Sequence, residues 1–141
     1  MGRRVSARTL IDTLFVVALI NQRDQYHDRA AELADSYEGS QFLITDAVLL
    51  EIGNALARKF RRQAMEIIDH FLSSTDVEVV RLTPDLFDRA FALYKAHEDK
   101  EWGLTDCVSF VAMREAGIQD AMTFDQHFVQ AGFCALMQEA G

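Results

Sequence analysis

Proline is almost missing from this sequence, with Pro84 the single example. That excludes a proline-rich linker and a collagen-like chain. Cysteine is nearly as scarce. Cys107 and Cys134 are the two present, in neither a CxxC nor a Cys–His spacing, which removes a zinc ribbon or a disulfide scaffold. Both read as buried thiols of a reducing compartment. No GxGxxG or Walker loop occurs, so a phosphate cradle of the nucleotide-binding kind is excluded. Long apolar runs are missing too. Leu10–Ile20 is too short to cross a bilayer and carries Asp12, and the basic N-terminus lacks the order of a secretory signal. The reading is a cytoplasmic protein away from membranes. Positive charge is also in deficit, with 14 Lys and Arg against 22 Asp and Glu and a net charge of −8. A coat protein for nucleic acid would be basic. An acidic balance suits an enzyme whose pocket is neutralised by divalent cations, and it equally suits simple solubility.

What is present is a dense apolar complement. Half of the 141 residues are hydrophobic, enough for one domain spanning 1–141 with a substantial core. Residues 1–7 read as a frayed basic terminus. Segments alternate in type along the chain. Arg8–Asp12, Gln41–Ile44, Val77–Leu82 and Ala121–Phe124 read as strands. Helices are expected at Leu14–Ile20, Gln25–Tyr37, from Thr45 to about Phe60, and from Gln63 to Leu72. Thr83-Pro84-Asp85 is a strong helix start, with a capping hydroxyl, a proline at the first position and an acid in the first turn. That helix runs to about His97. Thr105-Asp106 opens another ending near Gly117, a helical turn covers Gln126–Gln130, and Phe133–Leu136 is a last apolar stretch. Such alternation predicts a mostly parallel α/β sheet of four to five strands with helices on both faces. Ligands of open α/β sheets bind beyond the carboxyl ends of the strands.

That rule selects particular acids. Asp12 closes the first strand, Asp125 follows the fourth, and Asp106 sits in the first turn of its helix. Glu51 lies two turns into the helix after the second strand, on the flank of its apolar face. Asp106 and Asp125 also suit plain helix capping, and Glu51 suits an exposed helix flank. An acid between Ile11 and an apolar helix is costly unless paired, which makes Asp12 the most telling. Gathered in one cleft, the four would repel one another, and a hard cation such as Mg²⁺ or Mn²⁺ relieves this. That arrangement suits hydrolysis of a phosphodiester.

These residues carry a resemblance. Leu10-Ile11-Asp12-Thr13, Thr45-Asp46 through Glu51 to Leu56, Leu104-Thr105-Asp106-Cys107 and Thr123-Phe124-Asp125-Gln126-His127-Phe128 stand in the order found in PIN-domain ribonucleases. The chain resembles in particular the VapC-type toxins of toxin–antitoxin pairs. The resemblance implies a three-layer α/β/α PIN-like fold and cleavage of RNA that depends on Mg²⁺ or Mn²⁺. It puts the catalytic and metal-binding acids at Asp12, Glu51, Asp106 and Asp125, with Thr13 and Thr105 as hydrogen-bonding neighbours. It also implies a homodimer and a cognate antitoxin that covers the acidic pocket. Leu14 departs from the small polar residue that many members carry two places after the first acid. A processing nuclease of the same fold and a non-catalytic PIN-like binding module are the alternatives.

Arg58, Lys59, Arg61 and Arg62 form the densest basic cluster away from the N-terminus. They could hold RNA phosphates beside the acids, or simply decorate a helix C-terminus. His127 reads as structural, and Trp102 as packing over the sheet edge.

Overall fold

The computed structural model describes residues 8–138. The basic terminus expected to fray, residues 1–7, lies outside them. Five strands form one sheet in the order β3-β2-β1-β4-β5. They are β1 (Arg8–Ile11), β2 (Gln41–Thr45), β3 (Val77–Val80), β4 (Asp120–Met122) and β5 (Cys134–Ala135), and every pairing is parallel. Register sets Leu10 beside Leu43 on one side and Ala121 on the other, with Ile11 beside Met122. Because side chains alternate along a strand, Leu10, Leu43 and Ala121 enter one core while Ile11, Ile44 and Met122 enter the other.

The helices divide between those two cores. One face carries α1 (Thr13–Ile20), α2 (His27–Ser36), α3 (Asp46–Ala55) and α4 (Arg61–Ser73). The other carries α5 (Pro84–Ala96), α6 (Leu104–Ala116) and α7 (Gln126–Gln130). This is the three-layer α/β/α architecture, and because both faces of the sheet are covered, successive residues of β1 and β2, Leu10-Ile11 and Leu43-Ile44, are buried alike. Phe110 lies at the centre of the second core, fully buried and edge-on to Trp102 and Phe128. Trp102 is itself buried there, its Nε1 donating to Gln130 at 3.0 Å. Phe110→Ala should cost about 3–5 kcal/mol, read as a lower urea midpoint with an unchanged slope.

Local chemistry sets most element ends, and several differ from expectation. The Thr45 and Thr83 hydroxyls accept from Val48 N and Leu86 N and cap α3 and α5 as expected. Helix α3, however, stops at Ala55 and does not reach Phe60, leaving Arg58 and Lys59 in a turn. Arg61 and Arg62 consequently stand at the N-terminus of α4 and not at a helix C-terminus. Cations there gain nothing from the helix dipole. Strand β3 ends at Val80 because Asp46 draws the chain off the sheet, accepting from Leu82 N and the Arg81 side chain. Strand β4 ends at Met122, where Thr123 N turns back to Ala121 O. Helix α6 opens on Gly103 and not on Thr105. Gly117 closes it in the left-handed conformation, φ +70°, which costs glycine little.

Candidate active site

The carboxyl ends of β1 and β4 stand side by side, and the chain leaves each directly into a segment that carries one of the acids. After Ile11 the chain places Asp12 and starts α1; after Met122 it places Thr123, Phe124 and Asp125 and starts α7. Helix α6 also begins at this rim, with Asp106 in its first turn. An open cleft of about 510 Å³ results, lined by Asp12, Thr13, Leu14, Glu51, Asn54, Ala55, Asp106 and Asp125. The four acids singled out from the sequence therefore share one site. No lysine or arginine is among those lining residues.

Asp12 is the most deeply placed, 4% exposed. Its Oδ2 accepts from the Thr123 hydroxyl at 2.8 Å. Burial pushes its carboxyl up to about 7; the Thr123 hydrogen bond opposes this, while the charges of Asp106 and Glu51 reinforce it. Glu51 sits on the exposed side of α3, and its Oε1 accepts from the Thr13 hydroxyl at 2.6 Å. That bond joins α1 to α3 across the cleft. A helix flank has thus become part of the site.

Asp106 shows that capping and site membership are compatible. Its Oδ2 accepts from Gly103 N at 3.1 Å, closing the start of α6, and lies 3.1 Å from His127 Nδ1. Burial raises the Asp106 carboxyl, with Asp125 adding to the rise and Gly103 N–H and His127 opposing it. Asp125 Oδ1 accepts from His127 N at 2.9 Å and caps α7, with His127 Nδ1 3.4 Å away.

The helix starts matter electrostatically. Backbone N–H groups at the N-termini of α1 and α6 face the rim and soften the repulsion among the acids.

Sequence reasoning missed three contributors. Thr123 opens the Thr123–Phe128 motif, and its buried hydroxyl bonds an acid 111 residues earlier. Asn54 follows Glu51 by one turn on the same face of α3. His127, read as structural, turns its ring toward two of the acids. Thr105, expected as a hydrogen-bonding neighbour, makes no side-chain hydrogen bond to the acids among the described residues; the hydroxyls that reach them are those of Thr13 and Thr123.

The PIN-domain family profile matches residues 9–133. The chain belongs to the PIN-domain family. It is 33% identical over 129 residues to the 23S rRNA-specific endonuclease VapC20 of Mycobacterium tuberculosis, in both strain CDC 1551 / Oshkosh and strain ATCC 25618 / H37Rv. That match covers 92% of this chain and 98% of the relative. A crystal structure of M. tuberculosis VapC20, described as a sarcin–ricin loop cleaving toxin, superposes with a TM-score of 0.80, covering 89% of this chain and 95% of that one. VapBC2 from Rickettsia felis, bound to a DNA fragment from its promoter, shares the fold, with a TM-score of 0.63 and 17% identity over 91% of this chain and 96% of that one. The PIN fold read from the sequence is the fold observed.

The PIN cleft fits a hard divalent cation. Its donors are carboxylate oxygens from separate elements, no cationic side chain of the described residues lines it, and ligand atoms of Asp106, Asp125 and His127 lie within 4.8 Å of one another. Oxygen-rich sets of this kind suit Mg²⁺ and Mn²⁺. Among the described residues, no helix is long and apolar enough to cross a membrane.

Proposed function

We propose that this PIN domain is a divalent-metal-dependent endoribonuclease, acting on cytoplasmic RNA as the toxin of a toxin–antitoxin pair. The observation that carries this reading is the convergence of Asp12, Glu51, Asp106 and Asp125 on one cleft, in a chain that matches VapC20 over 98% of that relative's length.

Asp12, Asp106 and Asp125 would hold Mg²⁺ or Mn²⁺, with Glu51 facing them across the cleft. When bound, the cation would lower the pKa of an attacking water and neutralise charge on the phosphate. The chain's own residues do the rest. Thr123 fixes the rotamer of Asp12, and Thr13 fixes that of Glu51. The carboxylate of Glu51, on the exposed side of α3, is free to accept a proton from the water as it attacks. Helix N-termini at the rim present N–H groups to an incoming phosphate. Arg58 and Lys59 lie on the exposed turn just beyond Asn54 and Ala55 of the cleft, and Arg61 and Arg62 on the exposed first turn of α4, where they can hold neighbouring RNA phosphates. A homodimer and a cognate antitoxin that covers the acidic cleft belong to the same reading.

The test is cleavage of total RNA and of 23S rRNA in Mg²⁺, Mn²⁺ or EDTA, run beside Asp106→Asn. Cutting that depends on the cation and is lost in the variant supports the reading. Cutting that survives EDTA overturns it. Replacing Arg58, Lys59, Arg61 and Arg62 by alanine should raise KM for RNA with kcat little changed. It should also flatten the salt dependence of binding by about 0.7 in slope for each RNA phosphate that is no longer neutralised.

A further inference from the structure

We infer that His127 is a nitrogen ligand in the metal site and gives this enzyme a preference for Mn²⁺ over Mg²⁺. The inference rests on the metal-dependent reading above and adds a residue beyond the acids.

The histidines differ in what they do with Nδ1. His27 Nδ1 lies 2.8 Å from Ala18 O, and His97 Nδ1 lies 3.1 Å from Leu93 O. Those rings are tied to backbone carbonyls. His127 Nδ1 instead faces carboxylates alone, 3.1 Å from Asp106 Oδ2 and 3.4 Å from Asp125 Oδ1. These separations have a second meaning. Neighbouring ligands of one octahedral ion, bound at about 2.1 Å, stand about 3 Å apart. The ring nitrogen sits near that spacing from one oxygen of each carboxylate, and ligand atoms of all three residues lie within 4.8 Å of one another.

The ring is also held in place from its own backbone. His127 N donates to Asp125 Oδ1 at 2.9 Å, which locks the first turn of α7 and aims the ring across Asp125 toward Asp106. The side chain is about one-fifth exposed, so a partner ion would find the nitrogen partly desolvated and in position. Imidazole is a poor ligand for Mg²⁺ and a better one for first-row transition ions. Carboxylates alone discriminate little between Mg²⁺ and Mn²⁺. One imidazole among them therefore favours Mn²⁺.

The experiment uses metal-free protein, with Mn²⁺ and Mg²⁺ titrated separately by calorimetry into wild type, His127→Asn, His127→Ala and Asp106→Asn. Asparagine keeps a hydrogen-bonding group where Nδ1 stood but removes the imidazole. Both His127 variants should lose about tenfold in Mn²⁺ affinity, with Mg²⁺ affinity unchanged within about twofold. Pulsed electron paramagnetic resonance of bound Mn²⁺ should show a ¹⁴N coupling in wild type that disappears in His127→Asn. If His127→Asn behaves as wild type while His127→Ala weakens both ions equally, the ring only positions the acids and the inference fails. Absence of the ¹⁴N coupling also overturns it. A different result marks failure of the underlying reading: no saturable binding of either ion to wild type beyond that of Asp106→Asn.

Discussion

Asp12→Asn should reduce RNA cleavage by about a thousandfold while leaving a folded protein that is more stable than wild type at pH 8 without metal. The rate loss follows from the place of this residue. Asp12 is the deepest acid in the cleft, and a neutral amide there would remove the charge that draws a cation in, a change worth several kcal/mol at the phosphate. Stability moves the other way because the wild-type carboxylate is 96% buried and ionises only against the desolvation that pushes it up to about 7. Asparagine has nearly the same shape, and its carbonyl oxygen can still accept from Thr123. The paired measurement is cleavage rate and melting temperature on the same preparation. A dead enzyme that melts lower than wild type would indicate simple misfolding and sink the argument. An active Asp12→Asn would remove Asp12 from the chemistry altogether.

The same contrast explains how much the sequence could disclose. Strands β1 and β2 are legible because a strand covered on both faces carries adjacent apolar residues, here Leu10-Ile11 and Leu43-Ile44, and Thr45 and Thr83 announce their helices by their own side-chain chemistry. The end of α3 is not. Ile52, Leu56 and Phe60 keep helical spacing through the turn, Leu56 N and Phe60 N bond the carbonyls four residues earlier, and no glycine or proline stands between Ala55 and Phe60. That hidden turn also reversed the reading of Arg61 and Arg62, which proved to begin a helix.

In the site, Asp12, Asp106 and Asp125 were placed by strand and helix ends alone, which are local features. Glu51 is only a flank by local pattern; the resemblance to PIN domains adds it to the acids, and the hydroxyl of Thr13, 38 residues away in sequence, bonds it. His127 is local to Asp125, but its contact with Asp106 exists only because α7 docks beside the start of α6. Local periodicity contains no term for such contacts. They are decided by how layers stack, and the ordered resemblance to PIN domains stood in for that missing information.

Stacking of the layers also fixes how the metal-free protein should respond to pH. Asp12 has a folded pKa of about 7 against 3.8 for the exposed carboxyl, and Asp106 is displaced in the same direction. A raised carboxyl pKa means that the folded state binds more protons than the unfolded chain between those values, so stability falls as pH rises. The Asp12 contribution is fully present below about pH 4, declines through the range from 4 to 7, and is gone above it. The displacement corresponds to roughly 4 kcal/mol for Asp12, or a fall in melting temperature of about 10 °C for a domain of this size. Saturating Mn²⁺ or Mg²⁺ should reverse the trend, because it binds the ionised acids of the folded state and competes with protons for them. The stabilisation by metal should therefore grow from pH 5 to pH 8. In Asp12→Asn the metal-free decline should shrink to the part that Asp106 supplies, and most of the stabilisation by metal should vanish with it. Melting curves at several pH values, with EDTA or with divalent cation, read all of this directly. A wild-type melting temperature that climbs from pH 5 to pH 8 in EDTA would mean that Asp12 is not held in the desolvated, mutually repelling cluster from which its function is argued.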